Sequence, residues 1–191
     1  MLEVLNRDVL EAAPVLLGAK LVKGEMVAQI VEVEAYRSDD PACHAFQRRT
    51  PRTEIMYGPA GIAYVYFNYG VHWMLNIVCH PGEDAAAILI RAARPIAGLE
   101  EMRLNRPGAI DRNLLSGPGK LAQAFGITGQ DNGTDLMALE SDGLRIIPAA
   151  VPVTNVLTGP RIGIAVGKWH EVPWRFVDGD AREWISRAMQ P

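Results

Sequence analysis

A chain of 191 residues with 49% hydrophobic and 21% charged content is long and apolar enough to bury one sizeable core, which excludes disorder as the default. A net charge of −3 argues mildly against a nucleic-acid partner only if the charge is spread evenly, and it is not: residues 37–120 carry ten Lys or Arg against eight Asp or Glu, the remainder nine against fourteen. No apolar run is long enough to span a membrane, the opening MLEVLNRDVLEAAP carries acids where a secretory leader would be basic, and two cysteines (Cys43, Cys79) are too few for a disulfide framework, so a soluble cytoplasmic protein is expected.

In chain order, DVLEAAPVLL at 8–17 reads as a helix stopped by Gly18, with Pro14 implying a kink or a later start. A short strand at 19–22, a turn at Lys23-Gly24-Glu25 and a β-branched, alternating strand at 28–36 follow. Residues 37–57 form a polar connection of the length that functional loops often have. Three strands are expected at 62–68, 72–79 and 85–92, joined by turns at Asn68-Tyr69-Gly70 and residues 81–84, so an antiparallel meander is the simplest pairing. Pro95 is expected to open a helix to about Leu104, and Ser116-Gly117-Pro118-Gly119 to precede a short helix ending at Gly126. After a turn at 129–135, strands are expected at 143–150 and 161–166, then WRFV (174–177) and a terminal helix near 180–189. The sum is an α+β fold: one compact domain over 1–191 with a curved, largely antiparallel β-sheet and peripheral helices.

On the strand at 28–36, alternation places Ile30, Glu32, Glu34 and Tyr36 on one face. Pattern alone favours a solvated face and ordinary surface acids. The competing reading is a cleft at the strand end, in which a partly desolvated carboxylate acts as general base. In AYVYFNYG (63–70), Tyr64 reads as sheet core, whereas Tyr69, at a hairpin tip with little core to enter, suits a wedge between bases. Arg48, Arg49 and Arg52 form an acid-free basic loop within residues 44–53; charge alone favours a solvated cluster, and phosphate contact is the alternative. Lys120 ends the glycine-rich turn before a helix, which is either an anion site or a plain cap.

Cys43-His44 and Cys79-His80 invite a zinc reading, but neighbours in extended backbone point to opposite sides, so no metal site is expected. Asp39-Asp40 reads as turn chemistry. No hydrolase triad, phosphate loop or dinucleotide fingerprint is present, and no cofactor is expected.

Six blocks taken in order, VEVEAY (31–36), PACHAFQRRTPR (41–52), YVYFNYG (64–70), LNIVC (75–79), ILIRAARPIAG (88–98) and SGPGKLAQAFGI (116–127), resemble the alkyladenine DNA glycosylase family, the 3-methyladenine glycosylases of mammalian type. The resemblance implies Glu34 as general base and Arg91 as the residue that helps hold the nucleophilic water. It implies Tyr36, His44 and Tyr66 as walls around a flipped base, Asn76 as the residue that rejects normal guanine, and Tyr69 as the intercalating wedge. His44 depends on the length of the loop before it. The long basic arm of vertebrate members is not seen, so DNA binding is expected to rest on the core's arginines. The implied partner is double-stranded DNA carrying a damaged, alkylated or deaminated purine, and the implied product is an abasic site. No lysine lies in the matched site blocks, so no strand cleavage is expected, and a monomer is the default. A non-catalytic nucleic-acid-binding module and a hydrolase of free nucleosides are the alternatives. The first would have no need of Glu34, the second none of Tyr69 or the arginine loop.

Overall fold

The computed structural model describes residues 1–79, 84–138 and 142–189. His80 and Pro81 to Glu83 of the expected turn lie outside the described residues. Among the described residues, eight strands build one sheet: β1 (Lys20–Lys23), β2 (Met26–Arg37), β3 (Ala63–Asn68), β4 (His72–Cys79), β5 (Ala86–Ala97), β6 (Arg145–Ile147), β7 (Val156–Gly159) and β8 (Arg175–Asp178). Its path is β3-β4-β5-β2-β1-β6, with β8 pairing β2 beyond the end of β1 and β7 pairing β8, and every named pair is antiparallel. The α+β architecture and the β3-β4-β5 meander are as expected.

The short connections follow from local chemistry. Gly24, at a φ of 56°, closes a two-residue turn between Lys23 and Met26. At the β3-β4 tip both Tyr69 (φ 49°) and Gly70 (φ 68°) are left-handed, and Val71 N–H donates to Asn68 O at 3.0 Å, the pattern of a type I′ turn. Among the described residues, five α-helices, α1 (Leu2–Leu5), α2 (Val9–Val15), α3 (Leu99–Asn105), α4 (Asp111–Leu114) and α5 (Pro118–Ala124), pack against the sheet. Leu16, Met102 and Phe125 from the helical segments share the main core with Ile30, Val33, Ile77 and Ile88 of the sheet. A smaller cluster around Cys43, Met56, Tyr64 and Val78 holds the 37–57 connection. No described helix is long and apolar enough to cross a membrane.

Several expectations are corrected. The first long helix is capped by Asp8, whose carboxylate accepts Leu10 N–H at 2.8 Å, and it stops at Val15, one residue past Pro14. Pro95 opens no helix: it lies inside β5, past the Ala86–Leu89 stretch that pairs with β4 and beside a bulge, where a strand tolerates a missing N–H. The helix starts at Leu99, after Gly98 at a φ of 71°, where a Cβ would meet Met26 Cα at 2.6 Å. The strand expected at 143–150 shrinks to Arg145–Ile147, and residues 161–166 form a loop turned by Gly163. The expected terminal helix is a single 3-10 turn at Arg182–Trp184, because Ser186 turns inward to bond Glu32 through N–H (2.6 Å) and Oγ (2.9 Å).

Two opposed bulges decide which side chains of β2 and β5 share a face. Val31 is an extra residue in β2, between Ile30 (opposite Ala93) and Glu32 (opposite Ala92), and Arg91 is an extra residue in β5, between Ile90 (opposite Val33) and Ala92. A bulge turns two successive side chains to one side. Simple alternation therefore fails: Ile30 joins Val33 and Ala35 in the main core, while Val31 packs with Ala92 and Ala181 on the opposite face, the face of Glu32 and Glu34.

Candidate active site

The acids of β2 are not on a solvated face. Glu32 and Glu34 are both fully buried, because β8 and the segment at Ser186 cover the first and the loop at 161–165 covers the second. Their partners separate them. Glu32 receives Arg175 Nε at 2.7 Å and both donors of Ser186, the bonding of a structural acid. Glu34 receives Tyr36 Oη (2.7 Å) and Arg91 Nη1 (3.2 Å) on Oε2, and the backbone N–H of Ile162 (2.7 Å) on Oε1. Oε1 thus keeps acceptor capacity for one more donor, such as a water. Arg91, turned to this side by its bulge, also lies 3.4 Å from Glu32, so one guanidinium bridges two buried carboxylates.

Electrostatics keep these groups in fixed states. Burial alone would lower the Arg91 pKa, but the charges of Glu34 and Glu32 outweigh it and raise it. Burial, reinforced by the Glu34 charge and their hydrogen bond, holds the Tyr36 phenol well above its usual range, so it remains a neutral donor. Burial likewise pushes Cys43 up to about 12, which makes that thiol inert.

Above Glu34 opens a cleft of about 470 Å³, within the usual range for small-ligand sites. Tyr36, His44, Tyr66, Asn76, Tyr69 and Arg91, six of the residues expected in the site, all line it; Glu34 lies beneath the floor that Tyr36, Arg91 and Ile162 make. His44 stands edge-on to Tyr66 at 4.6 Å between centroids and shares a 3.0 Å hydrogen bond with Tyr64 Oη through Nδ1. Asn76, nearly fully buried, anchors its amide on Tyr64 O at 3.0 Å. Tyr69 is 93% exposed at the hairpin tip. Tyr64 is core, as expected.

Arg48, Arg49, Arg52 and Lys120 lie outside the cleft lining. Arg49 is tied to Glu54 and lies over the Tyr57 ring, Arg52 lies over Tyr66 at 5.0 Å, and Lys120 bonds Ser116 Oγ at 3.1 Å. Arg48 is exposed and makes no ion pair among the described residues. Sequence reasoning missed the loop at 161–168, from which Lys168 reaches the cleft; Asp40 does make the expected turn, accepting Ala42 N–H at 2.9 Å, but its burial against Arg161 was not foreseen. Gly159-Pro160-Arg161, a turn pair before a cation, was the only signal for that loop.

His44 yields a pH prediction. Although its outer edge meets solvent, burial among the rings and then the charge of Arg52 lower its imidazole to about 4. The unfolded chain protonates near ~6.5, the folded one lower, so the stabilisation from neutral His44 is complete above that value and is lost as pH falls toward 4. Melting midpoints of the wild type should fall across this window, and His44→Asn should flatten the fall; an unchanged slope would remove His44 from the linkage.

The chain matches the family model described as Methylpurine-DNA glycosylase (MPG) over residues 3–182. It is 48% identical over 176 residues, 92% of the chain and 82% of the relative, to a protein of Rhodopseudomonas palustris named "Putative 3-methyladenine DNA glycosylase". Proteins carrying the same name are 45% identical in Nitrosospira multiformis (87% of the chain, 83% of the relative) and 44% identical in Agrobacterium fabrum (97% and 91%). A match across this length means that the chain belongs to the methylpurine-DNA glycosylase family, monofunctional N-glycosylases of base-excision repair that act on alkylated purines.

Proposed function

We propose that the enzyme rotates a damaged purine, alkylated or deaminated, out of duplex DNA into the cleft and hydrolyses its N-glycosidic bond with a water activated by Glu34. The observation that carries this reading is the Glu34 carboxylate, held from three directions under the floor of an aromatic cleft whose rim bears the exposed Tyr69. A base inside a duplex hides its sugar carbon, and extrusion costs about a few kcal/mol, least for damaged pairs. Tyr69 fills the gap. Tyr36 forms one wall for the extruded base and the His44–Tyr66 pair the other, and stacking on such rings is worth about 1–3 kcal/mol per base. Asn76 crowds the 2-amino group of a normal guanine.

Glu34 takes a proton from water as its oxygen bonds to C1′; the C1′–N bond breaks and its electron pair leaves with the base. A purine methylated at N3 or N7 is cationic and departs neutral, so it needs no acid; a neutral lesion such as hypoxanthine leaves with the electron pair and takes up one proton, the equivalent of the one that water gives up. Arg91, bonded to Glu34 Oε2, orients the water beside the carboxylate. The product is a free base and an intact abasic strand, made by a monomer working at the nucleoid.

The reading is tested by single-turnover incubation with a duplex carrying one ethenoadenine or hypoxanthine, followed by alkali to reveal abasic sites. Alkali-dependent strand breaks at the lesion are expected, with free inosine untouched. Breaks without alkali, or equal turnover of the free nucleoside, would overturn it.

Two further results are expected. Tyr69 occupies a left-handed conformation that costs an ordinary side chain about 1–2 kcal/mol and asparagine less. Tyr69→Asn should therefore melt no lower than the wild type yet extrude the base less well; unchanged duplex affinity and excision rate would remove the wedge assignment. Arg48→Ala and Lys168→Ala should each reduce the slope of log Kd against log salt by about 0.9, one phosphate each, and Arg49→Ala by less because Glu54 holds it. An unchanged slope in the first two would place them off the DNA path.

A further inference from the structure

A buried arginine, Arg161, ties the loop that supplies Ile162 N–H to Glu34 back to β2. Arg161 is almost fully buried and ion-paired with the fully buried Asp40, with Nη2 donating to Oδ1 at 3.0 Å and Nη1 to Oδ2. Nη1 also donates to Ala35 O on β2 at 3.1 Å, and the guanidinium lies 4.7 Å from the centre of the Tyr36 ring and 5.1 Å from that of Trp174. Asp40 in turn accepts Ala42 N–H at 2.9 Å, in the loop that carries His44.

Two of the three hydrogen bonds on Glu34 therefore come from groups that Arg161 immobilises. Ile162 N–H, on Oε1, is the next residue along the chain. Tyr36 Oη, on Oε2, belongs to the ring under the guanidinium. A buried ion pair is weak evidence for stability, since apolar residues of similar volume often serve as well. What an apolar pair would not supply is a planar fork that joins Asp40, the Ala35 carbonyl and the Tyr36 face at once.

We propose that Asp40–Arg161 is a positioning pair for catalysis: it fixes the carboxylate of Glu34 through Tyr36 and Ile162 and ties that alignment to the His44 wall of the cleft. The inference rests on Glu34 being the general base. A misplacement of about 1 Å in such a group costs about a hundredfold in rate.

The test measures the single-turnover excision rate constant, the Kd for lesion duplex and the melting midpoint on Arg161→Ala, Arg161→Lys and Asp40→Asn. Arg161→Ala should lose about a hundredfold in rate with duplex affinity retained, and added guanidinium should restore part of the rate without raising the melting midpoint. Arg161→Lys keeps the charge but loses the fork and should fall in between; should Arg161→Ala not fold, Arg161→Lys and Asp40→Asn carry the test. Wild-type rates in those two variants, or a rate loss that follows only the loss of folded protein, overturn the proposal. Glu34→Gln separates the two ideas: if it is inactive while Arg161→Lys is fully active, only the positioning pair falls, whereas an active Glu34→Gln removes both.

Discussion

Glu34→Gln should lower the single-turnover excision rate by about 10²–10⁴-fold, the span that a positioned general base contributes. The substitution preserves shape and tests charge and basicity alone. Gln can still accept Ile162 N–H through its oxygen, but its amide then faces two donors, Tyr36 Oη and Arg91 Nη1. Arg91 keeps Glu32 at 3.4 Å, so the folded state should survive with a modest loss of stability. Duplex affinity should hold, because Glu34 is fully buried beneath the cleft rather than at its surface. A near-normal rate in a folded Glu34→Gln enzyme would remove the proposed mechanism.

Removing Arg91 should do more damage to the fold. Arg91→Met leaves Glu32 and Glu34 buried on one side of β2 without the cation that bridges them, and breaking such a pair costs about 3–5 kcal/mol. Glu32 retains Arg175 and Ser186, and Glu34 retains two donors, which favours the lower end. For a chain of this length that corresponds to a melting midpoint lower by about 6–20 °C. Arg91→Lys keeps the charge but not the two-ended reach, and should recover more stability than activity. Both variants are checked by denaturant melts read beside the excision rate. A variant as stable as the wild type would show that the two carboxylates need no bridge.

The strands of the meander were legible because their signal is local: β-branched and aromatic runs separated by turn residues, of which Tyr69-Gly70 is the clearest. The failures come from partners distant in the sequence. Pro95 is a helix opener in isolation and a strand residue here because a bulge removes the need for its N–H. Residues 180–189 form only a 3-10 turn and no α-helix because Ser186 is drawn to a carboxylate 154 positions earlier.

Matched residue blocks, read in order, were enough to name Glu34, Arg91, the cleft walls and the hairpin tip, since each sits within a short motif on one strand or loop. Their grouping around one cleft is a property of the fold, and what each does there is for the substitutions above to decide. By itself the sequence determined that a carboxylate pair lies on β2, that an aromatic hairpin follows and that the middle of the chain is basic. Only the tertiary structure decided that Glu32 is a structural acid and Glu34 a cleft-floor one, because that depends on which distant segment covers each: Arg175 and Ser186 over the first, Arg161 and Ile162 over the second. Alternation along a strand specifies a face, but not what lands on it, and two bulges move even the face.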